Sequence, residues 1–325
     1  MLVSERCEEG HTTLTVALVN NMPDAAFVDT EDQFRHALTA GAAGEQVDLR
    51  LYAIAEVPRA EATAALIQER YGTLEELLED PPDALIVTGT EPVQATLPYE
   101  PYWNSLTRLL EWASESVPTT LLSCLAAHAS VLLFDGIERR PLPAKVSGVY
   151  AGIVHTPDDP LVSGLPELIR VPHSRVNQIP APALLQAGYR ILVDCLGDPG
   201  GWSVASRMCG ESLFVLFQGH PEYSTLSLLR EYRRDIRRHL FGRGLQPFPR
   251  LPDGYLSAEA EERLSAFARS AADPRVDSRD LWTAFPYEEI AAGATNSWAS
   301  AAAGLYGNWL AEASLRRPLH SEPLV

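Results

Sequence analysis

The sequence predicts an α/β fold in which a mainly parallel β-sheet is flanked by helices. Two short runs, residues 84–87 and 119–122, have the apolar character of strands buried in the centre of a parallel sheet. Each is followed by a segment with helical periodicity, and this alternation is typical of parallel sheets. A later block adds three strand-like runs, at residues 189–193, 202–206 and 213–217.

The first third of the chain alternates between strand and helix patterns. Residues 13–19 are apolar and β-branched and predict the first strand. Thr30 and Gln33 have the spacing of a capping box, so we expect a helix to begin at Thr30. Residues 47–53 alternate like a strand with one solvated face, and residues 60–71 carry Ala and Leu on one side, as a helix does.

Helical patterns continue to the end of the chain. The further helices are expected at residues 103–114, 125–134, 257–271 and 297–315. The segment from 246 to 280 is rich in proline and charge. We therefore expect an α/β domain over residues 1–245 that carries the chemistry. Residues 246–325 would form an extension packing on the same domain or on a partner subunit.

Composition limits the class of protein. Of 325 residues, 46% are hydrophobic and 21% are charged, which suits a globular protein with a large core. The net charge of −17 argues against nucleic acid as a partner, because phosphate binding needs a basic surface. No run of 18 apolar residues occurs, and the first ten residues lack a signal-peptide pattern, so we expect a cytoplasmic protein without a membrane span.

Cysteine spacing argues against a structural metal. The four cysteines form no CxxC pair and no cluster with histidine at zinc-site spacing, so we expect neither metal nor cofactor. Cys124 is different, because it stands where a buried strand runs directly into a helix. At such a nucleophile elbow the helix N-terminus lowers the pKa of a thiol, and backbone N–H groups can form an oxyanion hole. A buried structural cysteine is the alternative interpretation.

A second segment supports the interpretation of Cys124 as a nucleophile. Residues 213–217 form an apolar strand that leads through Gln218-Gly219 into His220, with Glu222 two residues further on. Open α/β sheets place their sites at the carboxyl ends of strands. The glutamate can accept from one imidazole nitrogen while the other faces a thiol. A loop histidine that caps a turn is the alternative interpretation.

The pattern of Cys124 with a distant His220-Pro221-Glu222 resembles class I glutamine amidotransferase-like proteins. The surrounding motifs resemble one branch, the homoserine O-succinyltransferase/O-acetyltransferase family of methionine biosynthesis. The matching pieces are Asn20-Asn21-Met22-Pro23, residues 30–34 (TEDQF), 83–89 (DALIVTG), Tyr102-Trp103, 145–150 (KVSGVY), 172–175 (PHSR), 219–223 (GHPEY) and Arg234-Asp235, with a weaker match at 308–310.

The resemblance implies a role for several residues. Cys124 would take an acetyl or succinyl group from acyl-CoA as a thioester, with His220 as base and Glu222 as its orienting partner. Lys145 and Arg234 would bind substrate, and the backbone at Thr90 and Leu125 would stabilise the oxyanion. The acceptor would be homoserine, or serine. We also expect a homodimer, to which the last helix near Trp309 contributes.

The charges of the substrates agree with this assignment. CoA thioesters and amino-acid carboxylates are anionic, and Lys145, Arg175 and Arg234 supply cations within an acidic chain. A solvated helix face is the alternative interpretation for Arg234, and a surface turn is the alternative for Lys145.

Two departures from the family pattern leave specificity open. Val93 aligns with a position that influences the choice of acyl group, but it matches neither usual residue, glycine or glutamate. His128 stands on the elbow helix where the family more often has glutamine; it lines the pocket or packs as a core residue. Two other functions also stay open: a glutamine amidohydrolase with the same Cys-His-Glu chemistry, and a non-catalytic binding protein with the same fold.

Overall fold

The computed structural model describes residues 13–198, 200–242, 248–271, 273 and 275–317. Its strands are β1 (Leu14–Val19), β2 (Val47–Tyr52), β3 (Ala84–Val87), β4 (Thr119–Ser123), β5 (Arg140–Ile153), β6 (Leu168–Gln178), β7 (Arg190–Asp194), β8 (Trp202–Cys209) and β9 (Ser212–Phe217).

Helices alternate with these strands through the first half of the chain and dominate its end. They are α1 (Phe27–Gly41), α2 (Glu61–Arg70), α3 (Leu74–Glu79), α4 (Trp103–Ser116), α5 (Leu125–Asp135), α6 (Ala181–Gln186), α7 (Ser227–Phe241), α8 (Ala258–Ala271), α9 (Ser278–Thr283), α10 (Tyr287–Ala292) and α11 (Ala299–Arg316).

Seven strands form one sheet in the order β2-β1-β3-β4-β9-β8-β7. β1 pairs in parallel with both β2 and β3, whereas β7 and β8 are antiparallel. All residues of β3, β4 and β9 are buried, as expected for central strands covered on both faces. The predicted α/β class, with a mainly parallel sheet flanked by helices, is confirmed.

The chain divides into two compact units. One comprises the described parts of residues 1–121, 208–214 and 306–325, and the other comprises those of 122–207 and 215–305. In the second unit, β5 and β6 form a separate antiparallel pair, and an apolar cluster joins α7 to α8 and α10. The expected division into residues 1–245 and 246–325 stays a prediction.

Two local expectations differ from the structure. α1 begins at Phe27, three residues before Thr30, because a 3-10 turn over Asp24–Ala26 already leads the chain into the helix. The capping box is found instead at α3, where Thr73 accepts from the Glu76 N–H and the Glu76 carboxylate accepts from the Thr73 N–H.

No helix in the described part of the chain is long and apolar enough to cross a lipid bilayer.

Candidate active site

Cys124 occupies a strained backbone position between β4 and α5. Its φ of 52° and ψ of −107° lie where residues with a side chain rarely occur. The Cys124 N–H donates to the Phe217 carbonyl at 2.7 Å, which ties the elbow to the end of β9. Ala126 and Ala127 follow and are fully buried, so the helix packs closely here. The surroundings hold the thiol at a fixed, strained corner, which is the arrangement of a nucleophile elbow.

His220 follows the end of β9 and is buried. Its N–H donates to the Pro172 carbonyl at 2.7 Å, and its Nδ1 lies 2.8 Å from Oε1 of Glu222. Because a carboxylate only accepts, Nδ1 carries the proton and donates. The Tyr223 ring stacks on the imidazole at 4.3 Å between centroids. These contacts fix the orientation of the ring.

Burial and charge act in opposite directions on His220. Burial lowers the pKa of the imidazole, but the charge and hydrogen bond of Glu222 and the nearby sulfur of Cys124 raise it well above its usual value. The other nitrogen, Nε2, is buried and has no partner of normal hydrogen-bond geometry among the described residues. The ring is therefore a strong base, held on one side by a carboxylate, with its second nitrogen left for the thiol or for a substrate.

A glycine allows the close approach that places His220. A β-carbon on Gly219 would lie 2.5 Å from Cγ1 of Val171 and 3.0 Å from Nε2 of His173. The ring of His173 is fully buried and lies 3.0 Å from the Ser203 hydroxyl. The turn into His220 thus fits against β6 only with a glycine before the base.

Lys145 and Arg234 meet at two acidic residues of α7. Nζ of Lys145 lies 2.7 Å from Asp235 and 3.3 Å from Glu231, and Nε of Arg234 lies 3.2 Å from Asp235. Glu231 also accepts from the Tyr223 hydroxyl at 2.6 Å and from Ser174. Lys145 lies on strand β5, so its alternative interpretation as a residue of a surface turn is wrong.

Glu231 is charged although only 17% of its side chain is exposed to solvent. Burial would raise the pKa of this carboxyl, but the charges of Lys145 and Arg234, with hydrogen bonds from Ser174 and Tyr223, lower it to about 2. The sequence allowed Glu231 as a partner of Arg234 on the helix surface, but it did not indicate the contacts of Glu231 with Lys145, Tyr223 and Ser174. The available signal was an acidic residue three positions before Arg234 on an otherwise basic helix.

Arg175 has a different environment. Its side chain is buried, forms an ion pair with Asp198, donates to Gln178 at 3.2 Å and approaches Nδ1 of His173 at 3.4 Å. These contacts give Arg175 a structural role, and its expected contact with substrate stays a prediction.

The remaining predicted residues are backbone and specificity positions. Leu125 is the first residue of α5, where a backbone N–H has no acceptor within its own helix. Thr90 and Val93 lie in the loop after β3, in the first unit, and the Val93 side chain is 65% exposed. In the described part of the chain, no group of acidic, histidine or cysteine side chains could hold a metal ion.

Together these features define an α/β protein with a candidate Cys–His–Glu site at the carboxyl ends of β4 and β9, in which His220 and Glu222 are buried and Cys124 is partly exposed. A model of the family described as homoserine O-succinyltransferase matches residues 3–317. The chain therefore belongs to the homoserine O-succinyltransferase family.

Individual proteins agree with the family match. The chain is 43% identical to a homoserine O-succinyltransferase of Rhodopseudomonas palustris, over 91% of this chain and 87% of that protein. It is 45% identical to a homoserine O-succinyltransferase of Methylorubrum extorquens, over 93% and 88%. Among solved structures, a glutamine amidotransferase from Thermotoga maritima covers 93% of this chain and 98% of its own, at 13% identity and a TM-score of 0.46.

Proposed function

We propose that the protein transfers a succinyl group from succinyl-CoA to the hydroxyl of homoserine, through a thioester on Cys124, as a step of methionine biosynthesis. The proposal is carried by the strained Cys124, whose N–H bonds to the end of β9, three residues before the buried, Glu222-bound His220, in a chain of this family. The choice of a succinyl donor follows the two homoserine O-succinyltransferases to which the chain is similar.

The first half-reaction loads the enzyme. His220 accepts the thiol proton through Nε2, and the Cys124 sulfur attacks the carbonyl carbon of the acyl thioester. The carbon–sulfur bond to CoA breaks, and the departing thiolate takes the proton from His220. The backbone N–H of Leu125 would stabilise the oxyanion, a contribution that is large in a site without bulk water. No resident cofactor takes part.

The second half-reaction releases the product. His220 removes the proton from the homoserine hydroxyl, the oxygen attacks the Cys124 thioester, and the sulfur leaves and regains the proton. Arg234 would hold the carboxylate of homoserine with its guanidinium fork, and Lys145 would meet the acyl carboxylate. Glu231 and Asp235 keep both cations in place beforehand.

The experiment is intact-mass spectrometry of the protein mixed with succinyl-CoA or acetyl-CoA, without acceptor. We expect a succinyl adduct on the parent that disappears on adding homoserine and never forms on Cys124→Ala. An acetyl adduct alone would change the donor, and a Cys124→Ala protein with normal turnover would refute the mechanism. Ammonia release from glutamine without any acyl adduct would favour the amidohydrolase.

A further inference from the structure

His128 lies on α5, one turn after the nucleophile. Its N–H donates to the Cys124 carbonyl at 3.2 Å, and its side chain is buried. Nε2 of the ring lies 3.1 Å from Oε1 of Gln218. Burial is the main reason that the pKa of His128 falls to about 4; its hydrogen bond to Gln218 opposes this fall, and the charges of Arg139 and Arg175 add to it. The ring is neutral at neutral pH, and its Nε2–H donates.

Gln218 connects this histidine to the base. It follows β9 directly, is fully buried, and stands two residues before His220. Its Nε2 donates to the Trp202 carbonyl at 3.0 Å, so its Oε1 must face His128. The Gln218 N–H donates to the Ser203 carbonyl at 3.0 Å. With both ends satisfied, the side chain has one orientation, and it ties α5 to the start of the segment that carries His220.

A second hydrogen bond connects the residue before Cys124 to the same segment, at Glu222. Ser123, the last residue of β4, donates from Oγ to Oε1 of Glu222 at 3.3 Å. The same oxygen binds Nδ1 of His220. The nucleophile is therefore flanked by two buried polar side chains, at positions 123 and 128, and each contacts one end of the segment Gln218–Glu222.

We propose that His128 and Ser123 are positioning residues, which hold the segment 218–222 so that His220 lies at a fixed distance from Cys124. The proposal deepens the proposed function and shares its choice of nucleophile and base. Small errors in the placement of reacting groups are costly, because catalysis depends on geometry as well as on chemistry. Removing one buried partner also leaves the other unsatisfied, so these contacts are stable restraints.

The test measures how fast iodoacetamide alkylates Cys124 as a function of pH, resolved by peptide mass spectrometry on the full chain. His128→Leu keeps the bulk but loses the donor, so we expect alkylation at neutral pH to slow about tenfold, because His220 is no longer held where it takes the thiol proton. His128→Gln places an amide nitrogen near the position of Nε2 and should restore the parent profile. A parent-like Leu variant, or a Gln variant as slow as the Leu variant, would overturn the role of His128.

Ser123→Ala tests the other tie with a smaller change. We expect alkylation to slow about threefold or more, because Glu222 keeps its bond to His220 but loses one restraint. Ser130→Ala is the matched control, since Ser130 is also buried and, among the described residues, its hydroxyl donates to the Ala127 carbonyl of its own helix. If His128→Leu does not fold, Ser123→Ala becomes the test of the proposal. Alkylation of Cys124 in Ser123→Ala as fast as in Ser130→Ala would then overturn it.

The readout also separates this proposal from the proposed function. Alkylation of Cys124 needs no acyl donor. A parent protein that forms no acyl adduct, while its variants show the expected alkylation rates, would remove the acyltransferase assignment and leave the positioning role in place.

Discussion

At the residue scale, Cys124 shows how the site depends on local strain. A non-glycine residue at φ 52° and ψ −107° costs on the order of 1–3 kcal/mol, which the surrounding packing must offset. The N–H of Cys124 and the buried alanines after it hold the corner in place. The reactive thiol therefore occupies a position where a residue without a side chain would be more stable.

We expect Cys124→Gly to have a higher free energy of unfolding than Cys124→Ala by about 1 kcal/mol, because glycine adopts this backbone conformation without strain. Both variants should be inactive. Urea-induced unfolding followed by circular dichroism measures the difference. Ala129→Gly, in the regular interior of α5, should instead lose about 1 kcal/mol. A Cys124→Gly variant less stable than Cys124→Ala would show that the corner stores no strain.

At the scale of elements, α5 and the end of β9 bring together two histidines with opposite electrostatics. Burial lowers the pKa of His128 to about 4, whereas Glu222 and Cys124 raise that of His220 well above its usual value against the effect of burial. At mildly acidic pH, His128 therefore binds fewer protons in the folded chain than in the unfolded chain. At pH values above the usual pKa of histidine, His220 binds more protons in the folded chain than in the unfolded chain. Each contributes a pH dependence of stability with the opposite sign.

The contribution of His128 to stability should be complete above the unfolded pKa of about 6.5 and lost as the pH falls toward 4. A difference of about 2.5 pKa units corresponds to roughly 3 kcal/mol. We expect the parent to lose more unfolding free energy than His128→Gln between about pH 7 and pH 4 in urea titrations. His173, whose pKa is also lowered by burial, remains in both proteins and cancels in the comparison. Parallel curves for the two proteins would contradict the prediction.

The sequence predicted those elements whose signal is local. The buried run Ala84–Val87 was recognisable as a strand from its own residues, and so was the elbow at Cys124. β5 and β6 were not recognised, because β5 includes Pro141 and Pro143 and mixes polar with apolar residues. Their strand character comes from pairing with each other.

Long-range contacts at the site were out of reach for the same reason. The hydrogen bond between His128 and Gln218 joins residues 90 positions apart. No spacing rule could reveal that the histidine on the elbow helix faces the base segment and not a pocket. Likewise, the sequence offered Arg175 as a cation for substrate, and only the structure shows that Asp198 already pairs with it.

At the scale of the whole molecule, two buried tryptophans in the last part of the chain donate hydrogen bonds to earlier residues. Trp298 donates from Nε1 to the Tyr223 carbonyl at 3.0 Å, within the second unit. Trp309 donates from Nε1 to Oγ1 of Thr119 at 3.0 Å, within the first unit. The side chain of Trp309 is fully buried by its own chain, so its contribution to a homodimer stays a prediction that light scattering can test.

Replacing either tryptophan by phenylalanine should distinguish an effect on the free energy of unfolding from an effect on the alkylation rate of Cys124. Trp298→Phe and Trp309→Phe each remove a buried hydrogen bond and leave a small void, so we expect both to lower the free energy of unfolding by about 1–3 kcal/mol. Trp298 holds the backbone of Tyr223, whose ring stacks on His220, and Trp298→Phe should therefore also slow alkylation of Cys124. Thr119 lies at the far end of β4, about 16 Å from Cys124 along the strand. Trp309→Phe should consequently keep the parent alkylation rate, and an equal slowing in both variants would show that reactivity follows overall stability and not the support of Tyr223.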